Sequence, residues 1–311
     1  MIVVMEVDST EDQIEAVIGR MIDLGFSPSR TTGRNQTLIA GVGQGEIDLA
    51  SFQEMDGVKE AYRISSPFKL ASRVWKREGT EVVLGRARIG GAKVVSLARV
   101  CAAGQVPAVI EAGVDGVVVP VTRSRIGYQP PPQQTLAEMR ASAAAKGLSV
   151  IVEVASPSQA VAAAAHCDGF LVIASQMQNY ALLEQLGELH KPVILERSLS
   201  ANLEDWLLSA EAILTGGNGD VVLCERGIKT FDALAPTAID ITAFPAVHRL
   251  SHLPVIADPL RATGRKDRVL PVARAAVAAG ADGVILDAAT DVAYITGQIH
   301  RLAAAMGRES Q

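Results

Sequence analysis

The sequence predicts an α/β protein that is built as a (β/α)8 TIM barrel preceded by a small α/β domain. Eight short, almost wholly apolar runs recur after residue 93, as is typical of strands that are buried on both faces of a parallel sheet. Alanine- and leucine-rich stretches with helical spacing separate most of these runs. The first 66 of the 311 residues follow a different order of elements, so we expect two domains.

The first 66 residues follow the order βαββαβ, which predicts a ferredoxin-like domain. Its first helix begins after Ser9 or Thr10, either of which can cap a helix N-terminus. Glu11 and Asp12 lie in the first turn, where the helix dipole favours acidic residues. The other elements are short strands and one short helix, expected at residues 2–7, 38–42, 48–55 and 58–64.

A serine- and proline-containing linker at residues 65–67 is expected to separate the two domains. We therefore place the ferredoxin-like, regulatory-type domain at 1–66 and the barrel domain at 67–311. Two short strand-like runs interrupted by glycines at 71–92 predict a hairpin ahead of the first barrel strand.

The barrel strands are predicted from the apolar runs at 94–98, 116–121, 150–154, 170–173, 193–195, 221–224, 255–257 and 284–286. The clearest helical stretches lie at 135–146, 158–166, 203–214 and 270–279. In a barrel of this kind the chemistry takes place at the carboxyl ends of the strands. The residues that directly follow each apolar run are therefore the candidates for a functional site.

Composition narrows the class of protein. Hydrophobic residues make up 49% of the chain and aromatic residues only 4%, which predicts an aliphatic core. The net charge of −5 argues against a dedicated nucleic-acid binder. No apolar run is long enough to span a membrane, and the N-terminus lacks the pattern of a signal peptide. Three scattered cysteines do not form a disulfide framework, so we expect a cytoplasmic protein.

The strand ends are rich in arginine and carboxylate side chains. They comprise Arg99, Cys101, Arg123, Arg125, Glu153, Ser175, Glu196, Arg197, Glu225, Arg226, Asp258, Arg261 and Asp287. Several arginines at one barrel mouth would suit a phosphorylated or carboxylated ligand, because guanidinium groups bind such oxygens in pairs. A set of salt bridges on a solvated rim is an equally good interpretation of the same residues.

Seven segments distributed over the chain match a known pattern. They read SSPFKLASR at 65–73, IGGAKVV at 89–95, MQNYALL at 177–183, KPVILERSLSA at 191–201, VLCERGIKTF at 222–231, HLPVIADP at 252–259 and AAGADGVIL at 278–286. With these segments the chain resembles the type I-beta family of 3-deoxy-D-arabino-heptulosonate 7-phosphate (DAHP) synthases. Its first domain is similar to the ferredoxin-like regulatory domain of that family.

The resemblance implies an activity in the shikimate pathway of aromatic amino acid biosynthesis. Members of the family are transferases that condense phosphoenolpyruvate with erythrose 4-phosphate. They use a divalent metal such as Mn²⁺, held by Cys, His, Glu and Asp, and clamp the phosphates with Lys and Arg.

The metal positions are mostly replaced. Cys101 remains as a remnant of the metal site, but Arg261 stands at the histidine position and Asp287 at the glutamate position. The last acidic ligand is expected near Gln298, and the nearest acid, Asp291, is out of register. Arginine cannot deprotonate to bind a metal, so we expect no metal cofactor unless the family activity persists.

The phosphate clamps are also altered. Arg123 and Arg125 stand at the positions of a lysine and an arginine. Ser175 replaces an arginine, and Glu196 replaces a lysine, which reverses the charge at a phosphate contact. Facing a phosphate with a carboxylate is unfavourable.

Four positions match the family, namely Glu153, Glu225, Arg226 and Asp258. The resemblance implies that Arg226, together with Arg123 and Arg125, binds phosphate or another anionic ligand. Glu153 and Glu225 are candidates for proton transfer if the protein is active.

Glu196 and Arg261 are both exchanged and are both expected at the barrel mouth. We predict that they form an ion pair with charged atoms within about 4 Å.

Two functions follow from these observations. The favoured one is a pseudoenzyme, a ligand-binding or regulatory paralogue that has lost the metal-dependent condensation. It would bind a phosphorylated small molecule or an aromatic amino acid, and form a homo-oligomer or join an active paralogue or another shikimate-pathway enzyme. The alternative is an active DAHP synthase, or a related phosphosugar or pyruvyl transferase, with a metal-free site.

The shape of the barrel mouth separates these functions. The first predicts a metal-free cavity that is shortened and plugged by the Glu196–Arg261 pair or by the proline run at 130–132. The second needs an open cavity into which the three clamp arginines point.

Overall fold

The computed structural model divides the chain into two compact units, Met1–Arg77 and Glu78–Gln311. The structure describes residues 1–32, 37–43, 49–62, 67–85, 87–125 and 127–308. The boundary expected at residue 66, and Ser65 and Ser66 of the predicted linker, lie outside these described residues. Among the described helices, none has the length and apolar character that a membrane span requires.

The first unit is a four-stranded antiparallel sheet with two helices, in the strand order β2-β3-β1-β4. Its elements are β1 (Ile2–Met5), α1 (Glu11–Asp23), β2 (Ser27–Thr32), β3 (Thr37–Val42), α2 (Leu49–Gln53) and β4 (Val58–Tyr62). The predicted ferredoxin-like order is confirmed. Thr10 caps α1, and its hydroxyl accepts a hydrogen bond from the Gln13 N–H. Ile14, Val17 and Met21 of α1 are buried, as their helical spacing predicts.

The second unit contains a closed barrel of eight parallel strands, as predicted. The barrel strands are β7 (Val95–Arg99), β8 (Gly116–Val119), β11 (Ser149–Val154), β12 (Gly169–Val172), β13 (Val193–Glu196), β14 (Val221–Glu225), β17 (Val255–Ala257) and β18 (Gly283–Asp287). Strand β18 pairs with β7 and closes the ring. These strands are almost wholly buried, which explains why they are continuous apolar runs.

Helices alternate with the barrel strands. They are α3 (Val106–Glu111), α4 (Gln133–Ala144), α5 (Pro157–Ala163), α6 (Tyr180–Glu188), α7 (Leu203–Thr215), α8 (Ala243–Leu250), α9 (Pro259–Thr263), α10 (Val269–Ala278) and α11 (Val292–Ala305). Short hairpins add β5 (Val82–Leu84) with β6 (Ala87–Ile89), β9 (Thr122–Ser124) with β10 (Gly127–Gln129), and β15 (Ile228–Lys229) with β16 (Thr237–Ala238).

The β5–β6 hairpin packs against the amino ends of the barrel strands. Val82, Leu84 and Ile89 belong to the same buried cluster as the inward-facing strand residues, and the Ser149 hydroxyl at the start of β11 donates to the Leu84 carbonyl. The opposite end, where the carboxyl ends of the strands lie, carries the polar side chains and is the place for a ligand site.

Candidate functional site

Five charged side chains meet at the carboxyl ends of the strands and form what we call the ion cluster. Arg99 Nε lies 3.0 Å from Glu153 Oε1, and Arg99 Nη2 lies 2.8 Å from Asp258 Oδ2. Arg261 Nη2 lies 2.7 Å from Glu153 Oε1, and Arg261 Nη1 lies 2.7 Å from Glu196 Oε1. The ion pair expected between Glu196 and Arg261 is therefore present, and it is part of a larger network.

Local structure fixes each member of the ion cluster. Arg99 and Glu196 are the last residues of β7 and β13, and Glu153 lies in β11. Asp258 caps α9, and its Oδ1 accepts a hydrogen bond of 3.0 Å from the Arg261 backbone N–H. Because α9 starts directly after β17, its first turn brings the Arg261 side chain over the barrel mouth.

Burial and charge act differently on the carboxylates of the ion cluster. Burial raises the pKa of Glu196, and Glu153 and Asp258 add to this effect against the attraction of Arg261 and Arg99. Burial would also raise the pKa of Asp258, but Arg99 and Arg261 hold it below its usual value. With two guanidinium groups and three carboxylates, the ion cluster carries one excess negative charge when all five side chains are ionised.

A cavity of about 580 Å³ opens above the ion cluster. Its lining consists of Val121, Arg123, Tyr128, Glu153, Ile173, Ala174, Ser175, Glu196, Ser198, Leu199, Arg226 and Arg261. The side chain of Arg261 is 25% exposed, whereas the other four cluster side chains are at most 5% exposed. Arg261 is therefore the member of the cluster that a ligand would meet.

The cavity combines features of both predicted outcomes. The Glu196–Arg261 pair borders it, yet the cavity remains open. Two of the three clamp arginines, Arg123 and Arg226, line it, but Arg125 is exposed and is not among the lining residues.

Arg226 lines the cavity and carries a buried donor that is not used by any described residue. Its Nε atom is buried and, within the described part of the chain, has no hydrogen-bond partner. An anion in the cavity would supply that partner, since a buried donor without an acceptor is costly.

The β9–β10 hairpin forms one wall of the cavity. The Ser175 hydroxyl donates to the Tyr128 hydroxyl at 3.1 Å, and Gln159 Nε2 donates to the Tyr128 carbonyl at 2.9 Å. The prolines at 130–132 follow this hairpin and lead directly into α4. Sequence reasoning missed Tyr128, because a three-residue strand has no periodic signal.

A second charged group, which we call the Arg197 triad, lies beside the ion cluster. Arg197 Nη1 is 2.8 Å from Glu225 Oε2 and 2.9 Å from Asp240 Oδ2, and the guanidinium lies 5.7 Å from the Trp206 ring centre. Glu225 also accepts a hydrogen bond of 2.6 Å from the Gly227 N–H. Glu225 does not line the cavity, so of the two candidate proton-transfer groups only Glu153 does.

Comparison with known proteins identifies the family. A family model described as "DAHP synthetase I family" matches residues 116–293, which include four of the five ion-cluster residues. The chain is also 33% identical over 299 residues to a phospho-2-dehydro-3-deoxyheptonate aldolase from Thermotoga maritima, covering 92% of this chain and 88% of the relative. The chain belongs to the DAHP synthase family.

Both domains take part in this relationship to the DAHP synthase family of aromatic amino acid biosynthesis. A model described as "DAHP synthase ferredoxin-like domain" matches residues 1–66. The crystal structure of a DAHP synthase from Thermotoga maritima superposes with a TM-score of 0.75 at 29% identity and covers 100% of this chain and 99% of that one. A 2-dehydro-3-deoxyphosphooctonate aldolase from Synechococcus is 30% identical over 175 residues, covering 50% of this chain and 59% of the relative.

The metal that the DAHP synthase family implies does not fit the donor set of this chain. Arg261, which the resemblance places at the histidine position, is engaged with two carboxylates, and its guanidinium has no lone pair to give. Partial burial and the nearby charge of Asp287 raise the pKa of the Cys101 thiol. Within the described residues no group of three or more His, Cys, Asp or Glu side chains could hold a metal ion.

The remaining metal positions have other partners. Asp287 Oδ1 accepts from the Ala289 N–H at 2.8 Å, and Asp291 caps α11 through the Tyr294 N–H. Gln298 accepts a hydrogen bond from Arg274 on α10. These residues are therefore engaged within their own turn or in contacts between helices.

Proposed function

We propose that this member of the DAHP synthase family has lost the metal-dependent condensation of phosphoenolpyruvate with erythrose 4-phosphate and acts as a ligand-binding or regulatory paralogue. One observation carries the proposal. Arg261 stands where the family has a metal-binding histidine, and its guanidinium lies 2.7 Å from both Glu153 and Glu196. The positive charge next to Glu153 and Glu196 thus comes from the Arg261 side chain.

Electrostatics supports this proposal. A divalent cation close to a fixed guanidinium is repelled, and the repulsion is strong where burial lowers the effective dielectric constant. A metal ion that displaced Arg261 would break the ion pairs of Arg261 with Glu153 and Glu196. Breaking a buried ion pair costs about 3 to 5 kcal/mol. Glu196 also places a carboxylate at a position where the family uses a lysine to bind phosphate.

The cavity supports retained binding of a small anionic molecule. Arg123 and Arg226 line it, and Arg226 has an unused buried donor. Val121, Ile173 and Leu199 add an apolar wall. This combination of convergent cations and apolar surface is typical of a binding pocket.

The open cavity favours one second candidate, a metal-free transferase. Arg123 and Arg226 would bind the phosphate or carboxylate of the substrate, and Glu153 is the lining carboxylate available for proton transfer. Both oxygens of Glu153 already accept hydrogen bonds, from Arg99, Arg261 and the Val121 N–H, which limits its use as a base.

A steady-state assay tests the proposal. Purified protein is mixed with phosphoenolpyruvate and erythrose 4-phosphate, with Mn²⁺ or with a chelator, and the loss of phosphoenolpyruvate absorbance is followed. We expect no turnover in either condition from protein whose folding is confirmed by circular dichroism. Turnover that the chelator abolishes would refute the proposal, and turnover that survives the chelator would establish the metal-free transferase instead.

A further inference from the structure

Part of the donor capacity of the Arg261 guanidinium, which lines the cavity, has no described hydrogen-bond partner. A guanidinium carries five N–H donors. Arg261 commits one donor on Nη1 to Glu196 and one on Nη2 to Glu153, both at 2.7 Å. Its Nε lies 3.9 Å from Asp258 Oδ2, beyond hydrogen-bond distance. Three donors thus remain, and the side chain that carries them is the most exposed of the ion cluster.

We propose that Arg261 is a ligand-binding cation that contacts a carboxylate or carbonyl oxygen of the anionic ligand, so that ligand binding needs no divalent ion. This inference rests on the proposed ligand-binding function and adds the group that recognises the ligand. Arg226 and Arg123 are then available for a second anionic group, such as a phosphate. The ligand class is a small molecule with a carboxylate and a phosphate or second carboxylate.

The surroundings of Arg261 hold it ready for such a contact. The Glu196 carboxylate that binds Nη1 is itself fixed by a hydrogen bond of 2.9 Å from the Ala174 N–H. Glu153, which binds Nη2, accepts from Arg99 Nε at 3.0 Å and from the Val121 N–H at 3.2 Å. A guanidinium anchored on two fixed carboxylates loses little rotamer freedom when a ligand binds, which favours affinity.

A test of the contact between Arg261 and a ligand has to preserve the net charge of the ion cluster. Removing Arg261 alone would leave three buried carboxylates with only Arg99, and such a variant is at risk of not folding. Exchanging Glu196 and Arg261 together for glutamine removes one negative and one positive charge. The double variant E196Q/R261Q therefore keeps the net charge of the ion cluster, and its comparison with E196Q isolates the Arg261 cation.

The experiment is isothermal titration calorimetry of the full chain with phosphoenolpyruvate as the probe, in buffer with EDTA and in buffer with Mn²⁺. Four proteins are compared, namely the wild type, E196Q, E196Q/R261Q and the control R265Q. Arg265 is an exposed arginine in an ion pair with Asp267 and lies outside the cavity lining.

We expect the wild type and R265Q to bind the probe equally well with EDTA and with Mn²⁺. E196Q should bind the anionic probe more tightly, because it removes a negative charge from the cavity lining. E196Q/R261Q should lose at least about tenfold in affinity, as removal of a charge-assisted hydrogen bond predicts.

Two results would overturn the inference while leaving the proposed binding function intact. One is an affinity of E196Q/R261Q within about threefold of the wild type. The other is wild-type binding that appears only with Mn²⁺. Absence of binding to the folded wild type would instead overturn the binding function together with the inference.

Discussion

The ion cluster and the Arg197 triad place the same chemistry at neighbouring strand ends, yet they differ in what faces the cavity. In the triad, Arg197 is 6% exposed, donates to Glu225, Asp240 and the Ala201 carbonyl, and lies over Trp206. In the ion cluster, Arg261 is 25% exposed and lines the cavity. An arginine between carboxylates is thus a structural element when it is enclosed and a candidate ligand contact when one side is open.

The largest expected effect is a loss of stability when an arginine is removed, and this loss should be greater in the ion cluster than in the Arg197 triad. R99Q removes the deepest cation of the ion cluster and leaves Glu153, Glu196 and Asp258 with only Arg261. We expect the free energy of unfolding in guanidinium chloride to fall by about 3 to 5 kcal/mol, because buried carboxylates lose their partner. R197Q should cost less, since Asp240 is partly exposed and the Gly227 N–H still binds Glu225.

R265Q is the matched control for these variants, because it removes an arginine from an exposed ion pair and should leave the unfolding midpoint nearly unchanged. If R197Q destabilised the protein more than R99Q did, the assignment of Arg99 as the central cation of the ion cluster would be wrong.

A smaller expected effect is the pH dependence of the free energy of unfolding. Glu196 has a raised pKa in the folded protein, so the folded state binds a proton more tightly than the unfolded state does. Its stabilising contribution is present below the ordinary value of 4.5 and is lost as the pH rises through the raised pKa. We expect the wild-type free energy of unfolding to fall over this range.

E196Q cannot titrate at this position and should show a weaker dependence, as measured by chemical denaturation in steps between about pH 5 and 8. Glu225 and Asp282 also have raised pKa values, but they are present in both proteins, so the difference isolates Glu196. Identical pH dependences in the two proteins would contradict a raised pKa at Glu196.

The sequence predicted the barrel well because its strands are buried on both faces and therefore form continuous apolar runs. It also indicated the Glu196–Arg261 pair, since both residues are exchanged relative to the family and both are expected at the barrel mouth. It did not indicate that Arg99 joins three carboxylates, because that depends on the direction of side chains across the barrel mouth. The sequence did not predict Tyr128 as a site residue for another reason, because its short hairpin strand, Gly127–Gln129, has no alternating pattern.

We infer that the Glu196–Arg261 pair leaves no divalent-metal site at the barrel mouth. Titration of the protein with Mn²⁺, followed by the electron paramagnetic resonance signal of the free ion, tests this claim most directly. We expect the protein to leave that signal unchanged at micromolar Mn²⁺. If the wild type removed the free-ion signal stoichiometrically and C101S did not, the inference would be contradicted and Cys101 would be shown to hold a metal.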